Sequence, residues 1–335
     1  MLSRRALLAA PLAFPAIARA AWVPDRPVTI TVPFSAGGPT DVIARLVAEG
    51  MGRDLGQAVV VENVTGAGGT IAAARVANAR ADGTTLMFHH IGHASAATLY
   101  RKLPYDVQAS FAPLGLASDA AMTVVARPDF PAADLAGVMA VIKREGDKLT
   151  LAHSGLGAAN QLCGMLLQHA AGTALTSVVF RGSAPAITEL MAGRIDLFCD
   201  QATNTATFLR ENRIKGYAVT LPQRVPGLDL PTTAEAGEPS LAMSTWHGLY
   251  APKATPAEIR ARLSETLRAS LREERLLARL ADLVTEPASQ ERATEAFHTR
   301  FLAEEVARWR PIIQAAGAYA VGDTFERMAL RRLIE

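Results

Sequence analysis

The sequence predicts an α/β fold built as two lobes with largely parallel sheets. The chain has 335 residues, which is more than one hydrophobic core usually serves. Hydrophobic residues make up 50% of it and charged residues 20%, the balance of a packed globular protein. Short β-branched runs alternate with amphipathic helical stretches, and this order favours parallel strands joined by helices.

The first series of elements begins at Val28. Residues 28–32 predict a strand because short and β-branched side chains alternate there. A turn-rich loop follows over residues 33–41, and a helix is predicted over residues 42–51. The pattern continues with a strand over 59–62, a glycine loop over 66–70, a helix over 71–79 and a strand over 85–88.

A second series begins near Met122. It predicts strands over 123–126 and 149–152, a loop over 153–158, a helix over 160–170, a strand over 178–180, a loop over 181–183, a helix over 184–191, and strands over 195–199 and 217–220. Charged amphipathic helices are predicted over 257–272, 275–283 and 294–316. We therefore expect lobe 1 to comprise residues 21–122 and 226–335, and lobe 2 to comprise residues 123–225.

The first 20 residues predict an export signal. Arg4 and Arg5 give a positive start, residues 6–17 form a short apolar run, and residues 18–20 form an A-x-A cleavage site. The two arginines also resemble a twin-arginine signal. A membrane anchor is disfavoured because the apolar run is shorter than the roughly 20 residues that span a bilayer.

Removing this segment changes the net charge from +2 to −1, since residues 1–20 carry three arginines and no acid. A near-neutral chain without a basic stripe is a poor candidate for nucleic-acid binding. Cys163 and Cys199 lie in apolar stretches, where buried free thiols are common. Export would also permit a disulfide, and the sequence leaves that alternative open.

Two segments share one design of strand, Ser/Gly loop and helix, over residues 28–47 and 149–167. Ligands of open α/β sheets bind at the carboxyl ends of strands, where such loops gather. Helix starts offer unpaired N–H groups and a positive dipole end, which favour an anion. We expect the two loops to hold one carboxylate between them, although each alone also fits a tight turn. The expected donors are the backbone amides near Gly37, Gly38, Gly155 and Gly157.

Sequence signatures of common enzymes are missing. GxSxG, HExxH and P-loop motifs do not occur. Residues 66–71 begin like GxGxxG but end in isoleucine, which disfavours a dinucleotide site. His89, His90 and His93 raise the alternative of a metal site, but no paired carboxylate accompanies them. The sequence therefore predicts no catalytic residue, metal or cofactor.

At these loops the sequence resembles the tripartite tricarboxylate transporter substrate-binding proteins, also called the Bug family. The resemblance runs from about Trp22 to Gly317. In chain order, the segments that carry it are VPFSAGGPTDVIARLVA, VVVENVTGAGGTIAA, LYRKLPYDVQASFAPLGL, FRGSAPAITELMAGRIDLFCD, LPTTAEAG and WHGLYAPKATP. Together they are far more specific than a single glycine loop.

The resemblance implies a two-lobed periplasmic binding protein of the Venus-flytrap type, type II-like, that binds small carboxylates. Family ligands include di- and tricarboxylates, acidic amino acids and aromatic acids. It further implies that loops 35–41 and 154–158 hold a ligand carboxylate, and that residues 181–184 and Asp200 face the cleft. The residues expected to contact the ligand are Phe34, Ser35, Ala36, Gly37, Gly38, Thr40, Asp41, His93, Ser154, Gly155, Gly157, Ala158, Arg181, Gly182, Ser183, Ala184 and Asp200.

Three positions depart from the family pattern. Ala158 replaces a hydroxyl residue, Arg181 stands where the family often has Lys, and small residues replace an Asn soon after His93. Arg181 would offer a planar two-pronged donor to a second ligand carboxylate. Asp200 would favour an amine or hydroxyl at the far end of the ligand.

We therefore expect a monomeric periplasmic solute receptor and not an enzyme. It would capture a small carboxylate by hinge closure and deliver it to a two-component membrane permease. Nucleic acid is not an expected partner. Two alternatives stay open at this point: a ligand-sensing module of a signalling system, and a periplasmic enzyme.

Overall fold

A computed structural model describes residues 22–315. The expected signal segment with its cleavage site, and the last residue of the final predicted helix, lie outside the described residues. Within 22–315 the strands are β1 (Val28–Val32), β2 (Val59–Asn63), β3 (Thr85–His90), β4 (Phe111–Ala126), β5 (Thr150–His153), β6 (Thr176–Val179), β7 (Leu197–Gln201), β8 (Lys215–Val219), β9 (Ser244–Pro252) and β10 (Thr285–Pro287). The helices are α1 (Pro39–Leu55), α2 (Thr70–Ala77), α3 (Gly92–Leu99), α4 (Leu135–Glu145), α5 (Ala159–Ala171), α6 (Ser183–Met191), α7 (Ala202–Arg210), α8 (Ala257–Ser270), α9 (Glu274–Asp282) and α10 (Glu295–Ala315).

The strands form one sheet in the order β2-β1-β3-β9-β4-β7-β5-β6, and β10 and β8 also pair with β4. The long strand β4 changes partners along its length. Residues up to Ala121 pair with β9, and residues from Met122 pair with β7. We call β1–β3, β9, β10 and residues 111–121 the first half-sheet, and β5–β8 with residues 122–126 the second half-sheet.

The sheet is mixed, which corrects the expectation of largely parallel pairing. The pairs β1–β2, β1–β3, β5–β6 and β5–β7 are parallel. All pairs made by β4, and the pair β3–β9, are antiparallel. The two long strands β4 and β9 therefore join two parallel units through an antiparallel centre.

Residues 111–122 of β4 were not predicted as strand. Pro113 and Gly115 interrupt the β pattern of that stretch, and the ladder to β9 shifts register between them. Such irregularities admit Pro and Gly within a strand. Helices α3, α4 and α7 and strand β9 also went unpredicted.

One large core runs beneath the first half-sheet and continues to the second. Its largest buried side chains include Trp246, Phe111 and Trp309. Helix α10 packs against α3 and β4, and the Trp246 indole Nε1 donates to Glu305 Oε2 at 2.9 Å. Helix α10, one of the predicted C-terminal helices, therefore packs against the first half-sheet. No helix within residues 22–315 is long and apolar enough to cross a bilayer.

Both cysteines are buried and free. Cys163 lies on α5 and Cys199 on β7. A hydrogen bond with Cys199 and burial both raise the pKa of the Cys163 thiol. The Cys163 thiol is therefore protonated at neutral pH, the form that is a poor nucleophile.

Candidate functional site

Loops at the carboxyl ends of five strands meet around a small cavity that both half-sheets share. The strands are β1 and β3 of the first half-sheet and β5, β6 and β7 of the second. The cavity is lined by Phe34, Gly38, Pro39, Thr40, His90, Ser154, Ala158, Ala159, Asn160, Ser183 and Gln201.

The first loop, between β1 and α1, is held by Asp41. The Gly37 N–H donates to Asp41 Oδ2 at 2.8 Å, with Gly37 at φ +77°. Asn63 Nδ2 donates to Asp41 Oδ1 at 2.8 Å and to the Phe34 carbonyl at 2.9 Å. Burial would raise the pKa of the Asp41 carboxyl, but hydrogen bonds from Arg45, Gly37 and Asn63 outweigh it and lower the pKa. Asp41 therefore shapes the loop as a buried carboxylate.

The second and third loops are joined by a buried polar network. Asn160 accepts from the Ser154 N–H and donates to Ser154 Oγ, both at 2.8 Å. It also donates to Ser183 Oγ at 3.2 Å, and Ser183 Oγ donates to Asp200 Oδ1 at 2.9 Å. The other carboxylate oxygen of Asp200 accepts from Asn204 at 2.7 Å. The network fixes α5 and α6 relative to β7 beside the cavity.

Asp200 sits behind the cavity wall. Its side chain is 1% exposed and does not line the cavity. Burial raises the pKa of Asp200 to about 6, against hydrogen bonds from Asn204, Ser183 and the Gln201 N–H that lower it. The sequence placed this acid at the end of β7 correctly, but its contacts are with the protein and not with the cavity.

The four glycine amides that were expected to bind an anion already have acceptors within the chain. Gly37 donates to Asp41, and Gly38 donates to the Ser35 carbonyl. Gly155 donates to His153 Nδ1 and Gly157 to Gln161 Oε1. Each loop folds back on its own polar groups, which sequence spacing does not reveal.

Helix starts supply the donors instead. An α-helix leaves its first N–H groups without acceptors of its own. In α1 these belong to Thr40 and Asp41, because Pro39 has no N–H and Val42 donates to the Gly38 carbonyl. In α5 they belong to Ala159, Asn160 and Gln161, because Leu162 donates to the Ala158 carbonyl.

Five residues of the cavity lining were not predicted as ligand contacts: Pro39, Ala159, Asn160, His90 and Gln201. The last two are polar side chains at the ends of strands. The His90 ring stacks on Phe34 with centroids 4.5 Å apart. Its Nδ1 accepts from the Gly92 N–H at 2.9 Å, and burial lowers its pKa to about 3. Gln201 is 3% exposed, and its Oε1 has no hydrogen-bond partner within residues 22–315. Both residues end strands, a position from which side chains can reach the site.

The half-sheets touch at three places around the cavity. A Cβ on Gly182 would lie 1.8 Å from Ser35 Oγ, and one on Gly68 would lie 1.7 Å from the Leu156 carbonyl oxygen. A Cβ on Gly92 would lie 2.3 Å from the Gly157 carbonyl oxygen. Loops of the two half-sheets therefore approach so closely that only glycine fits.

A tyrosine joins the same loops by a hydrogen bond. The Tyr100 hydroxyl lies 2.7 Å from the Ala67 carbonyl oxygen and 2.9 Å from the Leu156 carbonyl oxygen. Burial raises the pKa of Tyr100 to about 12, so the hydroxyl stays protonated. Ala67 follows β2 and Leu156 follows β5, so the proton is shared between the two half-sheets.

Six predicted ligand contacts line the cavity: Phe34, Gly38, Thr40, Ser154, Ala158 and Ser183. The other expected contacts lie outside its lining. Ala36, Gly37 and Arg181 are exposed, and Ala184 is half-buried. Gly155, Gly157, Gly182 and Ser35 form the loops around the cavity, and the Ser35 hydroxyl is buried without a partner among the described residues.

His93 lies in the core. It is fully buried, its Nε2 is 3.1 Å from the Val107 carbonyl oxygen, and its ring packs edge-on against Phe111. Burial lowers its pKa to about 4. His89 and His90 each accept a backbone N–H at Nδ1, and no group of metal-ligating side chains is found within residues 22–315. The three histidines thus pack as neutral rings.

A larger and more open cavity lies beside β8 and the end of α7. Lys215 and Arg210, the cations that line it, donate to the carbonyl groups of Phe130 and Gly227. Their N–H groups therefore already serve the fold. The small cavity, which both half-sheets build, is the stronger candidate for a ligand site.

Residues 43–318 match the family described as tripartite tricarboxylate transporter family receptor. The chain belongs to this family. The resemblance read from the loop motifs is thereby confirmed, and with it membership among periplasmic receptors. Two relatives illustrate the match. The UPF0065 protein in the TAR-I ttuE-ttuC' intergenic region of Agrobacterium vitis is 45% identical over 295 residues, covering 88% of this chain and 85% of that protein. BugT of Bordetella pertussis is 29% identical over 298 residues, covering 88% and 90%.

Solved structures of receptor-family proteins share the fold. The periplasmic binding protein BugD is 40% identical with a TM-score of 0.86, over 88% of this chain and 99% of that one. MatC of Rhodopseudomonas palustris, solved with bound malate, is 37% identical with a TM-score of 0.84, over 87% and 99%. An R. palustris protein solved with adipate is 32% identical with a TM-score of 0.83, over 88% and 98%. The predicted fold class is therefore confirmed, and these similar structures are of binding proteins.

Proposed function

We propose that this family member is a solute receptor that captures a small carboxylate in the cavity between its half-sheets. The observation that carries the proposal is the cavity itself, which both half-sheets build and at which α1, α5 and α6 start. The first-turn amides of α1 and α5 converge there, and such amides bind anions. The similar structures with malate and adipate bind carboxylates, which supports the same ligand class for this chain.

Neutral donors would hold the anion. Thr40 and Asn160 contribute first-turn amides, and Ser154 keeps a free hydroxyl proton because its Oγ accepts from Asn160. Arg181, the cation expected to read a second carboxylate, is exposed and lies outside the cavity lining. Helix dipoles and hydrogen bonds, rather than an ion pair, would therefore stabilise the negative charge of the ligand.

Closure of two lobes would complete the site. In this proposal the lobes are residues 21–122 with 226–335, and residues 123–225, and they turn about the strands that link the half-sheets. Contacts at Gly182 and Gly68 exist only when the loops meet. A ligand that touches both loops would favour this closed state because it loses half its contacts when the lobes part.

The receptor would act outside the cytoplasm as a monomer. Export through the signal at residues 1–20 would deliver it to the periplasm, where it would hand its ligand to a two-component permease. No catalytic role is assigned to any residue of the cavity.

A blocking variant tests the ligand site. We expect one or more carboxylates from a library to raise the melting temperature, since a ligand at about 100 times its Kd adds about 2.7 kcal/mol to stability. Gly38→Val should abolish that shift because its side chain would grow beside the first turn of α1, in the cavity wall.

Gly52→Val is the matched control. A Cβ at either glycine would meet a backbone carbonyl at 3.3 Å, that of Ser35 for Gly38 and that of Gln57 for Gly52. Gly52 lies within α1, the helix that Gly38 precedes, and outside the cavity lining. Equal ligand shifts in the two variants, or no shift with any carboxylate in the unmodified protein, would refute the site.

A further inference from the structure

The polar side chains that line the cavity are nearly all committed to one another. Asn160 uses its oxygen and its nitrogen on Ser154 and Ser183, and Ser183 donates to Asp200. Thr40 is 3.3 Å from His247 Nε2. Two further side chains of the lining, His90 and Gln201, keep polar atoms free for a ligand. The carboxylate proposal gives these atoms no role.

His90 offers a donor of fixed position. Its Nδ1 accepts the Gly92 N–H, so the single proton of the neutral ring resides on Nε2. The ring is held in place by stacking on Phe34 and by edge contact with His247, with centroids 4.5 and 6.0 Å apart. Rotation that would exchange the two nitrogens would break the Gly92 bond.

Gln201 offers an acceptor that a bare carboxylate cannot satisfy. Its Oε1 is buried without a partner within residues 22–315, which costs free energy until a donor arrives. An ionised carboxylate brings acceptors only. A ligand that completes the site must therefore bring an N–H or O–H as well.

We propose that His90 and Gln201 together bind a hydroxyl group of the ligand, so that the receptor prefers hydroxycarboxylates to their deoxy analogues. The inference rests on the proposed carboxylate site. A hydroxyl accepts one hydrogen bond and donates another, and so it matches a donor and an acceptor at once. An ammonium group donates only. It would leave His90 unmatched and would bring a charge into a lining without a free acid, since Asp200 lies behind Ser183.

Paired ligands test the preference in the mature protein by calorimetry. The pairs are malate with succinate, lactate with propionate, 2-hydroxyglutarate with glutarate, and mandelate with phenylacetate, and aspartate serves as the amine counterpart of malate. We expect the best-binding pair to favour the hydroxy acid about tenfold, as one or two satisfied hydrogen bonds would give. Aspartate should bind more weakly than malate.

Variants assign the preference to the two residues. Gln201→Met keeps length and removes the acceptor, so it should reduce the hydroxy/deoxy ratio to below about threefold and leave the deoxy acid within about threefold of its original Kd. His90→Asn keeps an acceptor near Gly92 and loses Nε2–H, with the same expected result. The exposed Gln223 supplies the control Gln223→Met, which should change neither constant.

The outcomes separate this inference from the function on which it rests. If none of the acids binds the unmodified protein, both the proposed carboxylate site and the proposed hydroxyl site are refuted. If acids bind without preference for the hydroxyl, or if the preference survives in Gln201→Met, only the hydroxyl site is overturned. A Gln201→Met protein with native circular dichroism that has lost both members of a pair equally also overturns it, because the deoxy acid should not need Gln201.

Discussion

At the scale of single residues, Asp200 organises the site from behind its wall. It accepts from Ser183 and Asn204, and the chain of hydrogen bonds continues through Asn160 to Ser154. The carboxyl is fully buried with neutral partners, so desolvation dominates its titration. Its charge is therefore a cost to the stability of the folded protein.

Asp200→Asn should change how stability depends on pH. The folded-state pKa of Asp200, about 6, lies above the ordinary aspartate value of 3.8, so between these values the folded protein holds a proton that the unfolded chain has lost. The free energy of unfolding should then fall as pH rises through this window, by about 2–3 kcal/mol from this group. Urea unfolding at pH 4.5 and 7 should show this loss in the unmodified protein and little of it in Asp200→Asn.

The exposed Asp147 gives the control, since Asp147→Asn should leave the pH dependence unchanged. Unmodified protein and Asp200→Asn with parallel pH profiles would contradict the assignment.

The sequence could locate the polar loops but not the roles of their side chains. Ser154 and Ser183 were predicted as ligand contacts and do line the cavity. Asp41 and Asp200 were predicted likewise, yet they bind neighbouring groups of the protein, which follows from contacts distant in sequence. Gln201 carried no motif, and His90 was considered only as a possible metal ligand. The position of both depends on where β7 and β3 end, and strand ends are the least certain part of a prediction.

At the scale of elements, the loops after β2 and β5 form a contact beside the cavity. Tyr100 places its hydroxyl between the Ala67 and Leu156 carbonyl groups. Gly68 lets the two backbones approach, because its φ of +61° and its lack of a Cβ suit the contact. The contact joins the two loops, and none of its residues lines the cavity.

Tyr100→Phe should lower the binding affinity for every ligand by a similar factor. The loss of one neutral hydrogen bond corresponds to about 0.5–1.5 kcal/mol, which is a two- to tenfold rise in Kd. The change should fall on the dissociation rate, because the bond exists only once the loops have met. Stopped-flow or surface-based kinetics with any bound carboxylate would measure it.

Tyr105→Phe is a suitable comparison, since the Tyr105 ring packs on His93 and Phe111 inside the first half of the molecule. Two results would count against a contact between the loops. One is a change in Kd in Tyr100→Phe that differs from ligand to ligand, and the other is an equal change in Kd in the two variants.

Sequence periodicity predicted most elements of the parallel units and failed at their junction. Strand β1 matches its predicted bounds, and α1, α5 and α6 differ by a few residues at their ends. Residues 111–122 and strand β9 were missed because their pairing depends on each other across more than a hundred residues, with Pro113 and Gly115 masking the pattern. Long-range antiparallel pairing leaves no local signal.

At the scale of the whole molecule, β4 and β9 carry the connection between two units that are otherwise separate sheets. The large core beneath the first half-sheet continues into the second, which also holds a smaller cluster around Phe198 and Leu190. The loops of the two half-sheets make the glycine contacts around the cavity. The proposed motion of the two lobes about the linking strands would open and close this contact between the loops.

Two alanine substitutions where the loops meet should prevent the two lobes from closing. In the variant Gly68→Ala/Gly182→Ala, the added Cβ atoms would lie 1.7 Å from the Leu156 oxygen and 1.8 Å from Ser35 Oγ, so the loops cannot meet. Small-angle X-ray scattering should show a smaller radius of gyration for the unmodified protein with saturating ligand than without it. The double variant should keep the larger radius in both conditions and lose at least tenfold in affinity.

The control variant Gly172→Ala/Gly193→Ala isolates backbone strain from the contact between loops. Both glycines have positive φ, +64° and +73°, and a Cβ at either would meet nothing within 4 Å. This variant should lose some stability and close as the unmodified protein does. If the ligand still decreases the radius of gyration of Gly68→Ala/Gly182→Ala, these loops do not form the closing contact. If a bound ligand does not change the radius of gyration of the unmodified protein, closure itself is refuted.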